Sequence, residues 1–232
     1  MNRIKKNLKF FAKKLLLKFK FYFILPTDIR QQINYFYQKK KIFMEKNFID
    51  IGANEGNWSL AFKSISKNCN YILFEPNRKH NFFLNKISKD VYNNVLFKEK
   101  QKKIFRETDS EKGLGNSIYK EKSNAKFRET TVQAVTLDDI IKKLKINQFE
   151  IIKIDTQGSE LDIMKGGLKT LKKTKFLILE LHKKEYNLSP NTNLKTLKFL
   201  QKIHFKKVKN LSNFGKGIRK ANDILFENTK FK

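Results

Sequence analysis

Phe48-Ile49-Asp50-Ile51-Gly52-Ala53-Asn54-Glu55-Gly56 joins a short, mostly apolar run to a glycine loop, and a helical pattern begins close behind it near Trp58. In a doubly wound α/β sheet, ligands bind beyond the carboxyl ends of the strands, where glycines let them approach the backbone closely. The spacing Gly52-x-x-x-Gly56 is not the Gly-x-Gly-x-x-Gly dinucleotide fingerprint, so a ligand without a pyrophosphate is favoured. An NAD-linked dehydrogenase lacks its glycine loop here.

Three further runs have the same character: Tyr71-Ile72-Leu73-Phe74, Ile151-Ile152-Lys153-Ile154 and Phe176-Leu177-Ile178-Leu179. Each is apolar enough to be buried on both faces of a sheet, which is how parallel strands read. Helical patterns separate them over Asn57 to Ser66, Lys79 to Ile87, Leu137 to Leu144 and Ser159 to Leu171. This β-α-β alternation predicts a Rossmann-like, doubly wound, mostly parallel sheet. Phe205 to Asn210 and Ile224 to Glu227, linked through Phe214-Gly215-Lys216-Gly217, predict a late antiparallel edge. The polar stretch from Glu99 to Thr131 carries Gly113-Leu114-Gly115-Asn116, with β-compatible pieces at Lys103 to Arg106 and Thr130 to Val135. It reads as an irregular excursion containing a hairpin, placed where a substrate could be covered.

The strand tips carry the chemistry. Glu75 follows the second strand in Leu73-Phe74-Glu75-Pro76-Asn77, 25 residues after Asp50, where a carboxylate can accept hydrogen bonds from both hydroxyls of an adenosine ribose. Asp155 stands at the carboxyl end of the fourth strand, followed by Thr156-Gln157-Gly158-Ser159-Glu160-Leu161. There Gly158 permits the turn, Ser159 is a candidate helix cap, and Glu160 is favoured in the first helical turn by the dipole. The fifth strand ends in Leu179-Glu180-Leu181-His182, where alternation puts Glu180 and His182 on one face. A histidine titrating near neutrality is a candidate general base for a hydroxyl.

With 232 residues, 40% of them hydrophobic, 22 Phe and three Pro, the chain can bury one substantial core. The patterns divide the chain into a basic helical extension, 1–45, and a domain, 46–232. Cys69 is the single cysteine, so no internal disulfide framework forms and no Cys or His cluster offers a metal site. That points to a reducing, cytoplasmic setting. The net charge of +29 comes from 51 Lys+Arg against 22 Asp+Glu. The excess is mostly lysine spread along the chain with abundant Asn, Ile and Phe, as an AT-rich coding sequence produces without selection for a polyanion. Nucleic-acid recognition favours clustered Arg, whose planar fork matches phosphate and guanine edges.

Between Met1 and Leu25 lysines alternate with Leu, Phe and Ile. The longest apolar run, Phe21-Tyr22-Phe23-Ile24-Leu25, falls far short of the roughly 18 residues a spanning helix needs. Lys18 and Lys20 interrupt any signal-peptide core. Leu8, Phe11, Leu15, Phe19 and Tyr22 recur at three- and four-residue steps, which predicts a basic amphipathic helix. Two readings stay open for it: packing on the adjacent domain, or lying on the inner face of an anionic membrane through residues 1–25.

Taken in order, Phe48 to Gly56, Phe74-Glu75-Pro76-Asn77, Val135-Thr136-Leu137-Asp138-Asp139, Ile152 to Leu161 with Lys165-Gly166, and Asn222-Asp223-Ile224-Leu225-Phe226 resemble the FkbM-type methyltransferases. The resemblance spans about Phe48 to Glu227. It implies the class I fold of methyltransferases that use S-adenosyl-L-methionine (SAM), and O-methylation of a sugar, glycan or natural-product hydroxyl. Asp50, Gly52, Asn54 and Gly56 would then surround the methionine part of SAM, Glu75 would hold the ribose, and Asp155 would lie beside the transferring methyl. Thr156-Gln157 stands where the family often shows Val-Glu, which removes one carboxylate. For an alcohol acceptor, Asp155 and His182 are the candidate bases. A nucleic-acid base methyltransferase, the alternative that the charge suggests, typically carries a Pro-Pro-aromatic turn after the fourth strand, and this chain has Asp155-Thr156-Gln157-Gly158. A non-catalytic, membrane-associated binding module is the remaining alternative.

Overall fold

A computed structural model describes residues 3–18, 25–39, 43–108, 115–122, 126–183, 187–214 and 221–232. The chain runs α1 (Arg3–Lys18), α2 (Thr27–Gln38), β1 (Phe43–Met44), β2 (Asn47–Ile51), α3 (Asn57–Lys63), β3 (Ser66–Lys67), β4 (Asn70–Phe74), a 3-10 turn (Arg78–His80) and α4 (Asn81–Leu84). It continues through β5 (Asp90–Tyr92), β6 (Gln101–Thr108), β7 (Phe127–Ala134), α5 (Leu137–Leu144), β8 (Phe149–Ile154), α6 (Glu160–Gly166), α7 (Leu168–Lys172) and β9 (Thr174–His182). The last elements are α8 (Asn193–Lys202), β10 (Phe205–Phe214) and β11 (Ala221–Asn228).

Seven strands form one sheet in the order β5-β4-β2-β8-β9-β11-β10. The first five run parallel to one another, whereas β11 is antiparallel to both β9 and β10 and the last two strands close one edge. Counting only these seven in chain order, the arrangement is 3-2-1-4-5-7-6, the class I methyltransferase topology that the sequence predicts. The strand order reverses between β2 and β8, so the crevice for a ligand opens at their carboxyl ends.

Alternating side chains divide the core into two layers. Phe48, Leu73, Ile151 and Phe176 face a cluster with Ile33, Phe36 and Phe62. Ile49, Ile72, Ile152 and Leu177 face Leu137, Leu161 and Met164. Phe36 of α2 meets Phe43, Phe62 and Phe176 at centroid distances of 5.7, 5.4 and 6.4 Å, so residues ahead of position 46 are part of this core.

Three helices are shorter than their sequence patterns. The one expected over Asn57 to Ser66 ends at Lys63, because the Ser64 and Ser66 hydroxyls donate to the carbonyls of Ala61 and Phe62 and compete with the helical ladder. Ser66 instead pairs in β3 with β1. The pattern over Lys79 to Ile87 becomes the 3-10 turn and α4, with Asn77 capping through Lys79 N–H at 3.0 Å. The pattern over Ser159 to Leu171 breaks at Gly167 into α6 and α7. The excursion does contain a hairpin, β6 paired with β7. Gly113, Leu114 and the turn Gly215-Lys216-Gly217 lie outside the described residues, as do Phe19 and Tyr22.

Candidate active site

The carboxyl ends of β2, β4, β8 and β9 surround a cavity of about 710 Å³. Asp50, Gly52, Asn54, Glu75 and Asp155 all line it, together with Lys153, Gln157 and Glu180. Phe105 of the hairpin and Gly115 to Ile118 of its loop cover one side, and Lys9 and Lys13 of α1 stand on another.

Gly52 and Asn54 are both left-handed, at φ +81° and +49°, so the loop after β2 turns sharply. A Cβ on Gly52 would lie 1.9 Å from the Asp155 carbonyl oxygen, which shows how tightly the first loop is pressed onto the loop after β8. Because that neighbour is backbone, Gly52→Ala is expected to destabilise the fold by about 3 kcal/mol, strain and overpacking together, read from the midpoint of urea unfolding. An unchanged midpoint would show that the loop relaxes freely.

Glu75 binds the two strand tips together. Its Oε2 accepts from Asn54 N–H at 2.9 Å and its Oε1 from Asn77 N–H at 2.9 Å. Burial pushes the carboxyl up to about 7, against the pull of those two donors. Each oxygen keeps a lone pair, so the group can still accept from two ligand hydroxyls.

Asp50 is 1% exposed, and its Oδ2 accepts from the Ser59 hydroxyl at 2.7 Å. Its other oxygen, Oδ1, is buried with no hydrogen-bond partner among the described residues. A buried carboxylate oxygen left open on a cavity wall suits a positively charged donor such as the amino group of SAM. With Glu75 one strand away, the residues present fit that cofactor.

Lys153 lies directly across from Asp50 in the β2–β8 register and is 6% exposed. Its Nζ is 2.7 Å from Asp155 Oδ2. Burial penalises the lysine's charge, but the carboxylates of Asp155, Asp50 and Asp223 outweigh it and raise its pKa. For Asp155 the balance runs the other way: burial raises it, while Lys153 and its hydrogen bonds hold it below the usual range. Gln157, itself left-handed at φ +59°, donates Nε2 to Asp155 Oδ1 at 3.1 Å and to Glu180 Oε2 at 2.6 Å. Burial first, and then the charge on Asp155, push Glu180 well above a normal glutamate. Within this pair Asp155 is therefore the stronger acid and Glu180 the weaker one. Thus the Gln that replaces a carboxylate in the fourth motif serves as a bridging donor between these two acids.

Two sequence-predicted residues stand back from the cavity. Gly56 faces the packing beneath α3, where a Cβ would meet Ile87 Cδ1 at 2.4 Å. His182 has its Nε2 3.1 Å from Glu180 Oε2, and Glu180 is the residue that reaches the cavity. Ser159 makes no side-chain cap. Glu160 instead accepts from the backbone N–H of Thr156 and Gly158 at 3.0 Å and holds the loop after β8. Lys153 carried no role in the sequence reading. The available signal was a lysine inside a run otherwise buried on both faces, where a charge needs a partner.

The family model described as "Methyltransferase FkbM domain" matches residues 50–207. Among solved structures, M. capricolum TrmK in complex with S-adenosyl-homocysteine is 12% identical, with a TM-score of 0.50 over 90% of this chain and 70% of that one. Streptococcus pneumoniae Sp1610 in complex with SAM is 13% identical, with a TM-score of 0.50 over 90% and 75%. Magnesium protoporphyrin IX methyltransferase from Synechocystis PCC 6803, with bound SAM, is 11% identical, with a TM-score of 0.50 over 87% and 82%. At these identities the likeness is one of fold. No curated protein matches the sequence.

Proposed function

We propose, from the premise that this chain belongs to the FkbM methyltransferase family and is a SAM-dependent methyltransferase, that it methylates a hydroxyl group of a small or carbohydrate-like acceptor. The observation that carries the choice of a hydroxyl is Asp155, a carboxyl group on the cavity wall with the Lys153 ammonium 2.7 Å from its Oδ2.

SAM supplies, when bound, a methyl group activated by its sulfonium. Asp50 and Glu75 would hold its two polar ends, and Gly52 lets the loop after β2 close against the Asp155 backbone beside them. In-line transfer forms a C–O bond as the S–C bond breaks, so alignment supplies much of the rate. Asp155 orients the acceptor hydroxyl and takes its proton. A weak base suffices, because the oxygen becomes strongly acidic only as the new bond forms. Lys153 keeps Asp155 ionised and Gln157 fixes its direction. The hairpin and its loop cover one side of the cavity.

His182 acts through Glu180 as a positioning residue. His182→Ala is expected to lower turnover by about tenfold and leave SAM affinity unchanged, with Asp155 still the group that sets the chemistry. Equal turnover in the variant and the parent would remove His182 from the mechanism. The reaction class is tested by incubating the protein with SAM and sugars, lipid-linked sugars and glycans, and following S-adenosylhomocysteine release. Turnover with hydroxyl acceptors supports the reading; turnover only with amines or RNA contradicts it.

A further inference from the structure

Helix α1 packs on the domain with the side its apolar pattern does not select. Phe10, 5% exposed, is the residue that enters the core, stacked on Phe83 at 6.4 Å. Lys13 donates to Asn57 Oδ1 on the same side. Leu8, Phe11 and Leu15 form the periodic stripe, and they stay 65%, 59% and 56% exposed, with only the edges of Phe11 and Leu15 turned toward Lys86 and the domain. An apolar row this exposed on a folded domain marks a surface for something else.

Its borders identify the partner. At 100° per residue, Lys5 and Lys9 flank the stripe on one side and Lys14 on the other. All three are exposed, and none forms an ion pair among the described residues. The first acidic residue of the chain is Asp28, beyond the end of α1. Phe11 and Leu15 also form one wall of an apolar cleft of about 420 Å³, which Leu60 and Ile87 line from the domain and Lys14, Lys63 and Lys86 rim. We propose that α1 docks flat on an anionic lipid bilayer, with Leu8, Phe11 and Leu15 in the acyl boundary and the lysines among the phosphates.

A bilayer is the partner that uses both features. Nucleic acid would engage the lysines but leave the apolar row against a hydrated backbone, and a second copy of the helix would set lysine against lysine. Lys9, at the border of the stripe, and Lys13, farther round α1, also line the strand-tip cavity, so docking places that wall of the cavity near the headgroups. No helix among the described residues is long and apolar enough to cross a membrane, so the contact is in-plane. This inference does not depend on the identity of the acceptor.

The test uses the full chain with vesicles of phosphatidylcholine alone or mixed with phosphatidylglycerol. Co-sedimentation is expected with the mixed vesicles only, weakening as salt rises. The Phe11→Glu/Leu15→Glu double variant should bind about tenfold less, with its circular dichroism unchanged because both side chains are exposed. A Phe11→Trp variant should shift its fluorescence to shorter wavelength on mixed vesicles, which keeps the test independent of the double variant's folding. Equal sedimentation of parent and double variant overturns the proposal. So does salt-sensitive RNA binding, or a dimer lost in the double variant, in a protein that leaves vesicles alone.

Discussion

Replacing Glu75 by Ala is expected to raise the dissociation constant for SAM by about 100-fold at pH 8, with the fold retained. Two hydrogen bonds from ribose hydroxyls to an ionised carboxylate are together worth roughly 3 kcal/mol, and 1.4 kcal/mol is a factor of ten. The variant also releases Asn54 N–H and Asn77 N–H, which Glu75 holds at 2.9 Å, so the loop that lies against the ligand loses its anchor. Calorimetric titration with SAM or S-adenosylhomocysteine reads the loss directly. A change below threefold would show that the ribose is held elsewhere.

The same carboxyl makes the affinity depend on pH. In the free protein burial has lifted it from 4.5 to about 7. The raised value favours the folded state at pH values below the ordinary one, and that contribution is lost as pH rises through about 7. Ribose hydroxyls donate to the ionised form, so cofactor binding works against the proton. Affinity is therefore expected to weaken by about tenfold per pH unit below 7, and Glu75→Gln should flatten that slope. Asp223 is also lifted to about 7 by burial, but it is bonded to Gln32 at 2.9 Å and to Ser212, away from the ligand. A slope that survives in Glu75→Gln would assign the proton to another group.

Asp155→Asn is expected to lower turnover by about 100-fold or more and to change SAM affinity by less than threefold. A positioned base contributes roughly 10²–10⁴ to such a reaction, and the amide keeps the shape while losing the ability to take a proton. Lys153 stays opposite Asp50 in the register, so its charge retains a neighbouring carboxylate and the variant should fold. Single-turnover kinetics with bound SAM separate this from an effect on binding. Equal losses in affinity and turnover would instead make Asp155 part of the cofactor's grip.

The sheet was legible where burial on both faces writes continuous apolar runs, as in β2, β4, β8 and β9. It was illegible at β5, a three-residue outer strand in which Val91 stands between Asp90 and Tyr92 and no run can form. The fourth-strand helix was traced through Gly166-Gly167 because periodicity survives a break that only the turn geometry reveals. Asp50 and Glu75 stood out because strand tips have a fixed relation to the ligand crevice. Lys153 did not, since its meaning depends on which residue the neighbouring strand places opposite it. In α1 the periodic stripe was found, but Phe10 and Lys13 decide which way it turns, and those contacts are tertiary.

A crystal structure of the protein with S-adenosylhomocysteine decides whether these strand tips hold the nucleoside. Both ribose hydroxyls are expected on the Glu75 carboxylate and the amino group on Asp50 Oδ1, with the sulfur facing Asp155. Density for the nucleoside outside the β2–β8 crevice, or inside it with Glu75 and Asp50 untouched, would contradict that placement.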